Sequence, residues 1–458
     1  MTKILRYALT LSIFAFVGNS FAHSNGTPPP DSTTNIVDKT AATYMIEEGK
    51  TMYGLGKIKD ALIRFRQAEV KDPNSWKAAY WIGKCHYRLD NFGYALKYAN
   101  SAIGLGEGKV NDEIYFLLGT VNHRLGNLDS AIVNYQKADE MLSKSRSKVL
   151  GVQHHIDECN FAKAQMEQGK KFEKTPIEGE INSGYDDYNI LLASDHKTIY
   201  FVSRRSNTTG GGMNPDDQRY FEDTYKSVYD EEMKEWGTAN NDLGKLNSDG
   251  FDALNYISAD GLSAIMTVNS TATDAKNTTK GSDICEAKMS SKGTWNTPKP
   301  IKGVNTSYFE GSATLTADGN TMYFVSDRKG ETRSTDIYVS YRNGKSWSSA
   351  KPLSDSINTP GRETTPYITP DGRYLFFSSD GHLGMGDLDV YVSENLGDTW
   401  STPVNLGYGI NSVNNDTHFS YHEALKKAFI SGFEIVGKKA SIDCYEIDMS
   451  NFEYPKAY

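Results

Sequence analysis

Two different spacings of small and apolar residues divide this chain. Between about residues 38 and 170 small residues return together: Gly49, Gly83 and Gly119, then Ala61, Ala95 and Ala131, then Ala68, Ala102 and Ala138. A recurrence of about 34 residues marks paired antiparallel helices stacked as a solenoid, because helices approach closely only where side chains are small. A glycine on one helix is expected to meet an alanine on the next. Turn signals separate the helices, in GLGKIKD, RLDNFGY and RLGNLDS. The stretch from Ser147 to Lys170 reads as one terminal capping helix. From residue 171 the apolar residues gather instead into short runs of strand character: TIYFVS from Thr198, SAIMTV from Ser263, TMYFVS from Thr321, YLFFSS from Tyr374 and KAFISG from Lys427.

Each of these runs begins just after a turn. Three of the turns are Asp-Gly, at Asp260, Asp318 and Asp371, and predict tight two-residue hairpins. The other two are reduced to Asp195-His196 and Glu423-Ala424. The same order then follows in each copy. First comes Ser203, Val268, Ser326, Ser379 or Ser431. Next an aspartate opens a strand, at Asp223, Asp283, Asp336, Asp389 or Asp443. A tryptophan follows (Trp236, Trp295, Trp347, Trp400), and then an asparagine before Ser or Thr (Asn247, Asn305, Asn358, Asn411). Four antiparallel strands repeated five times predict a five-bladed β-propeller. The fifth copy lacks its tryptophan and its asparagine. FEKTPIEGEINS, from Phe172 to Ser183, reads like WSTPVNLGYGINS, from Trp400 to Ser412. It is expected to supply the outermost strand of the last blade and so close the ring.

The helical third resembles the tetratricopeptide repeat family through Gly49, Ala61, Phe65, Ala68 and Pro73, through Gly83, Ala95 and Ala102, and through Gly119, Ala131, Tyr135 and Ala138. The tryptophan usual near each repeat start is replaced by Met45, Ala79 and Tyr115. The strand-rich part resembles the PD40, or WD40-like, propellers akin to that of TolB. The motifs are SADG, TADG and TPDG, SDR at Ser326–Arg328, and DIY with its variants. Together the two likenesses imply the front part of a cell-envelope protein of Bacteroidota, of the OmpA-family or type IX secretion-associated kind. No OmpA-like module follows in this sequence, so a wall-anchoring role is not expected.

The leading residues fit that setting. Lys3 and Arg6 precede an apolar run from Tyr7 to Val17, and Ser20-Phe21-Ala22 offers a cleavage site. Residues 1–22 are therefore read as a secretory signal peptide and 23–37 as a polar linker. The apolar run is too short to span a bilayer, and no transmembrane segment is expected in the mature chain. The expected location is the periplasm, peripheral to the outer membrane. A formal net charge of -9 argues against nucleic acid as a partner. The four cysteines are read as buried free thiols.

The sequence points to binding rather than catalysis. The first helix of each solenoid pair should line a concave groove. Lys77, Tyr80, Lys84, Tyr87 and Arg88 fall on one helical face, with Lys50, Tyr53, Phe116, His123 and Arg124 at matching places in the neighbouring repeats. Aromatic walls with cationic heads suit an acidic or C-terminal peptide of another envelope protein. On the propeller, loops between second and third strands should share one face. The longest, from Asn207 to Glu222, offers Asn207, Asp217, Arg219, Tyr220 and Phe221 for contact with a protein, a glycan or peptidoglycan. The five repeated aspartates are expected to hold backbone or pair with a neighbour such as Arg328. No cofactor, metal or catalytic residue is assigned. The alternative is a secreted glycan-binding or sialidase-like propeller, since SENLGDTW, from Ser393, resembles the Asp-box turn of sialidases. That turn is structural in the family, and no pair of catalytic carboxylates can be placed here.

Overall fold

The computed structural model describes residues 35–214, 217, 219–269, 281–329, 334–436 and 439–455. The signal peptide and nearly all of the linker lie outside them. Eight helices come first: α1 (Ile36–Gly54), α2 (Ile58–Lys71), α3 (Trp76–Arg88), α4 (Phe92–Gly106), α5 (Glu113–Arg124), α6 (Leu128–Met141), α7 (Lys144–Leu150) and α8 (Val152–Gln168). The first six form three antiparallel pairs. The repeated small residues have the role their spacing predicts, with one change. A side-chain carbon at Gly83 would lie 3.3 Å from the backbone of Ala99, but at Gly49 and Gly119 it would come within 2.5 Å of the rings of Phe65 and Tyr135. In the outer pairs the glycine thus makes room for an aromatic ring, not an alanine. The capping helix is two helices, because Gly151 takes a left-handed φ of 65° and ends α7 before α8 begins.

The remainder is a five-bladed propeller. Its sheets are built from Asp187–Leu192, Thr198–Ser203, Asp223–Asp230 and Glu235–Trp236; from Phe251–Ile257, Ser263–Asn269, Asp283–Lys288 and Lys299–Pro300; from Glu310–Leu315, Thr321–Ser326 and Asp336–Asn343 with two short outer strands; from Glu363–Ile368, Tyr374–Ser379, Asp389–Glu394 and Val404–Asn405; and from Asp416–His422, Lys427–Val436 and Lys439–Asp448. The last blade is completed by Lys174–Pro176, which pairs antiparallel with Tyr445–Ile447. The ring is closed by the segment its sequence singled out.

The Asp-Gly turns are four-residue loops, not two-residue ones. Thr316 donates its N–H to Thr321 across residues 317–320, and Ser258 and Thr369 do the same in their blades. Only the glycine needs a left-handed φ, 67° at Gly319, while the Asp318 carboxylate accepts the N–H of Asn320.

The repeated asparagine has a specific task. Asn182, Asn247, Asn305, Asn358 and Asn411 each set a side-chain amide against the main chain of the third strand. Each accepts the N–H, and donates to the carbonyl, of a single residue: Cys444, Thr224, Ile284, Ile337 and Val390 in turn. The hydroxyl residue after it donates both N–H and O–H to an acid four positions on, at Asp187, Asp252, Glu310, Glu363 and Asp416. These acids open the first strand of each blade and are fully buried. Arg328 therefore serves Glu310, at 3.1 Å, rather than the repeated aspartate Asp336, which pairs with Lys329 at 2.6 Å. Asp223 and Asp389 are held as expected, by backbone N–H groups and polar side chains of their own blades.

Four of the five buried acids receive a further partner. Arg205 reaches Asp187, Ser326 and Arg328 reach Glu310, Ser379 reaches Glu363, and Lys174 reaches Asp416. Asp252 faces Val268 across the strand pair, where three other copies have serine and the fifth Gly432, and its Oδ1 has no hydrogen-bond partner. Burial pushes the Asp252 carboxyl up to about 7.

The propeller face that carries the loops between second and third strands packs against the solenoid. Met385 of the fourth blade is fully buried in one apolar cluster with Leu128, Tyr135 and Val152. His123 Nε2 donates to the Met385 carbonyl at 2.8 Å, and Arg124 pairs with Asp387 at 2.7 Å. Arg219 of the first blade bridges Asp186 and Asp90, and Phe433 of the fifth blade meets Phe92 at 6.0 Å. The four cysteines are buried and unpaired.

Two consequences are measurable. Asn411→Ala leaves the buried N–H of Val390 without its partner and its carbonyl with the Leu406 N–H alone, and should cost roughly 1–3 kcal/mol in chemical denaturation. For Asp252, the folded carboxyl holds its proton to a higher pH than the unfolded one. Its contribution to stability is therefore complete below the ordinary aspartate range and is lost as pH rises toward about 7. Val268→Ser supplies the missing donor, so the loss of stability between acid and neutral pH should be smaller in that variant than in wild type. Parallel pH–stability profiles for the two proteins would show the account of Asp252 to be wrong.

Candidate functional site

Between the concave face of the solenoid and the docked propeller lies a cavity of about 470 Å³. Three helices predicted to line the groove do so: α1 gives Tyr53, α3 gives Tyr80, Lys84, Tyr87 and Arg88, and α5 gives Phe116, His123 and Arg124. Lys50 and Lys77 stand outside it. Lys50 pairs with Glu47 at 2.7 Å on the surface of α1, and Lys77 lies over the Trp76 ring. The sequence did not single out Glu113, Arg146 of α7, or His155 and Glu158 of α8, which complete one wall. Nor did it single out Asp380, Gly386, Asp387 and Val413, the propeller's share.

The charges in this cavity are not equally committed. Arg124 is spent on Asp387, and its guanidinium stacks at 5.3 Å from both Phe92 and Phe433. Arg146 holds Glu113 at 2.6 Å, and Tyr80 donates its hydroxyl to the same carboxylate. Lys84 sits in an aromatic cage, 4.5 Å from the Trp81 ring, 5.4 Å from that of Tyr53 and 5.5 Å from that of Tyr80. Burial holds its ammonium below the usual lysine range, with Glu113 working against that shift. Among the described residues neither Lys84 nor Arg88 forms an ion pair. They are the two cations that face the cavity unmatched. His123 and Arg124, expected to face a peptide, are instead engaged by the chain's own loop from Asp380 to Asp389. That loop fills one end of the groove.

The propeller-loop candidates are half-buried and held by the chain's own side chains, except Phe221, which is buried, and Asn207, which stays exposed. Asp217 is held by Arg204 at 2.8 Å, and Arg219 is the bridge to Asp186 and Asp90. Phe221 is buried against Phe251 at 5.0 Å, Tyr220 lies edge-on to Tyr185, and Asn207 accepts the Tyr225 hydroxyl. One end of this loop joins the seam between the domains through the Arg219–Asp90 pair.

Other hollows lie on the propeller, and one of about 190 Å³ is lined by Tyr185, Arg204 and the predicted loop residues Arg219 and Tyr220. The axis is lined by one residue from each inner strand, Asn189, Asn255, Ser312, Thr365 and His418, and its space of about 40 Å³ is far below that of a small-molecule site. Four of these residues take left-handed φ values in strand bulges, which turn their backbone toward the axis. At the outer seam, where the closing strand meets the first blade, a cleft of about 480 Å³ is walled by Trp236, Tyr229, Glu178 and Lys427.

No family model matches the chain. A curated protein, the BBSome complex member BBS4 of Mus musculus, is 28% identical over 108 residues, which are 24% of this chain and 20% of that protein. The chain thus spans about a fifth of the length of that relative, whose 20% coverage is all that aligns. Among solved structures, the first tetratricopeptide domain of human RPAP3 is similar at 19% identity, over 29% of this chain and 99% of that one, with a TM-score of 0.26. A glycoside hydrolase is similar at 11% identity over 65% of this chain and 98% of that one, with a TM-score of 0.42.

Proposed function

We propose that this chain is a non-enzymatic interaction scaffold whose composite groove holds an acidic or C-terminal segment of a protein partner. The observation that carries the reading is the pair of unmatched cations, Lys84 and Arg88, in an aromatic-walled cavity whose other arginines already have acids. A carboxylate placed between them would gain two charge-assisted hydrogen bonds. It would also restore the counter-charge that burial withholds from Lys84. The walls are rigid, since the propeller floor is pinned to α5 through Met385 and Asp387, so little ordering cost falls on the receptor side.

The finer setting follows from the sequence. The basic and apolar leader ending at Ala22, followed by tetratricopeptide-like and PD40-like repeats, supports export to the bacterial envelope. A place in secretion or outer-membrane assembly, peripheral to the outer membrane, fits those repeats. A second reading is favoured by the outer cleft. Trp236 and Tyr229 beside Glu178 offer the apolar face and polar rim that a sugar ring requires, so that cleft is a candidate glycan contact.

An array of peptides ending in acidic residues, each printed with a free and an amidated C-terminus, tests the groove. Wild type should prefer free carboxylates, and Lys84→Glu combined with Arg88→Glu should lower binding at least about 10-fold, the worth of one charge-assisted hydrogen bond or more. Equal binding by the double variant would refute the groove. Retention of sialosides or wall fragments by wild type but not by Trp236→Ala would favour the second reading.

A further inference from the structure

At the deep end of the same cavity three side chains converge that the groove reading does not use. His123 comes from α5, and His155 and Glu158 from α8, one helical turn apart. One potential ligand atom from each lies within 4.8 Å of the others. From this geometry we infer a binding site for a divalent first-row transition ion of the zinc class, held by His123, His155 and Glu158, with its open position toward the cavity.

The surroundings are those such an ion needs. The Met385 carbonyl can only accept, so the hydrogen bond to His123 at 2.8 Å fixes the proton on Nε2 and leaves Nδ1 as a bare lone pair. His123 is only 4% exposed and makes no hydrogen bond through Nδ1 among the described residues. Glu158 is 2% exposed. His154 lies 3.1 Å from one carboxylate oxygen, the outer partner that orients a ligating acid, while the other oxygen faces His155 at 2.6 Å. Tyr135 stacks on His155 at 5.4 Å and stands edge-on to His123 at 6.4 Å, which holds both rings in place. The neighbouring cation, Arg124, is turned away to Asp387.

Metal–ligand bonds of about 2.0–2.2 Å set ligand atoms roughly 3.3 Å apart, so the His155–Glu158 contact, now 2.6 Å, opens as the ion enters while His123 turns in, through side-chain rotation alone. Two histidines and one acid leave a coordination position for water or an incoming carboxylate, as three-ligand zinc sites do. Bound there, the ion would tie α5 to α8 and, through the Met385 hydrogen bond, to the propeller. The site does not depend on any partner protein.

Cobalt(II) is the probe. The full chain, stripped with a chelator, should take up one equivalent and show the visible absorption of a four- or five-coordinate ion, which zinc then quenches by displacement. His123→Ala and His155→Ala should each weaken uptake by about 100-fold or more, beyond what loss of an outer-shell partner costs. His196→Ala, in the distant outer cleft, should bind as wild type does. Zinc should raise the melting temperature of wild type and leave that of His123→Ala unchanged. Absence of both absorption and thermal shift in wild type overturns the site, whether or not any variant folds. A signal that persists in both histidine variants also overturns it. Peptide binding that survives chelation reports on the groove and not on the ion.

Discussion

The short antiparallel pairing of Lys174–Pro176 with Tyr445–Ile447 governs the shape of this molecule. A propeller built from repeats must spend its ends somewhere, and an unclosed ring would expose two sheet edges. Here the chain leaves α8 at Gln168 and within a few residues is committed as the outer strand of the last blade. The Asn182 amide and the backbone of Ile177 extend the pairing through Cys444, and Ile177 and Ile181 are buried beneath it. The solenoid has no free tether after that. It must lie over the blades nearest the seam, and the contacts it makes are with the first, fourth and fifth blades: Asp90 with Arg219, His123 and Arg124 with the loop around Met385, and Phe92 with Phe433.

That constraint explains which parts of the molecule could be read from sequence. Helix pairing, blade count and ring closure are local or repeated, so each copy checks the others. The exchange of one residue type within a copy is legible too, once its role is known. Val268 stands where three of its equivalents are serine, and Asp252 loses a partner for that reason. The turn at Asp318 was half read: the glycine requirement is visible in the sequence, but loop length depends on where the Thr316–Thr321 pairing closes. The acid four places after each Asn-Ser or Asn-Thr pair was in plain view, and its regular spacing was the signal that could have found it.

Docking between the domains left no such signal. The loop from Asp380 to Asp389 is rich in aspartate and glycine, and nothing in the order of its residues says that Met385 will sit in a solenoid core. The same holds for Arg219, whose partners Asp186 and Asp90 are brought together only by the fold. The cluster of His123, His155 and Glu158 spans two helices that are not neighbours in sequence, and helical spacing alone relates only the last two. Sites assembled across a seam are invisible to periodicity for this reason.

The seam also accounts for the uneven charge of the groove. Packing a propeller onto the solenoid buries acids and arginines together, and each buried charge left alone would be costly. Arg124, Arg146 and Arg219 are matched in place. Lys84 and Arg88 face the part of the cavity that stays open, and among the described residues no acid pairs with either, since Glu113 is held by Arg146. Had the propeller loop extended farther along the concave face, it would have supplied that acid itself and sealed the groove. It stops at Asp387, and so the unmatched pair marks the boundary between the part of the groove the chain uses to hold itself together and the part it leaves for another molecule.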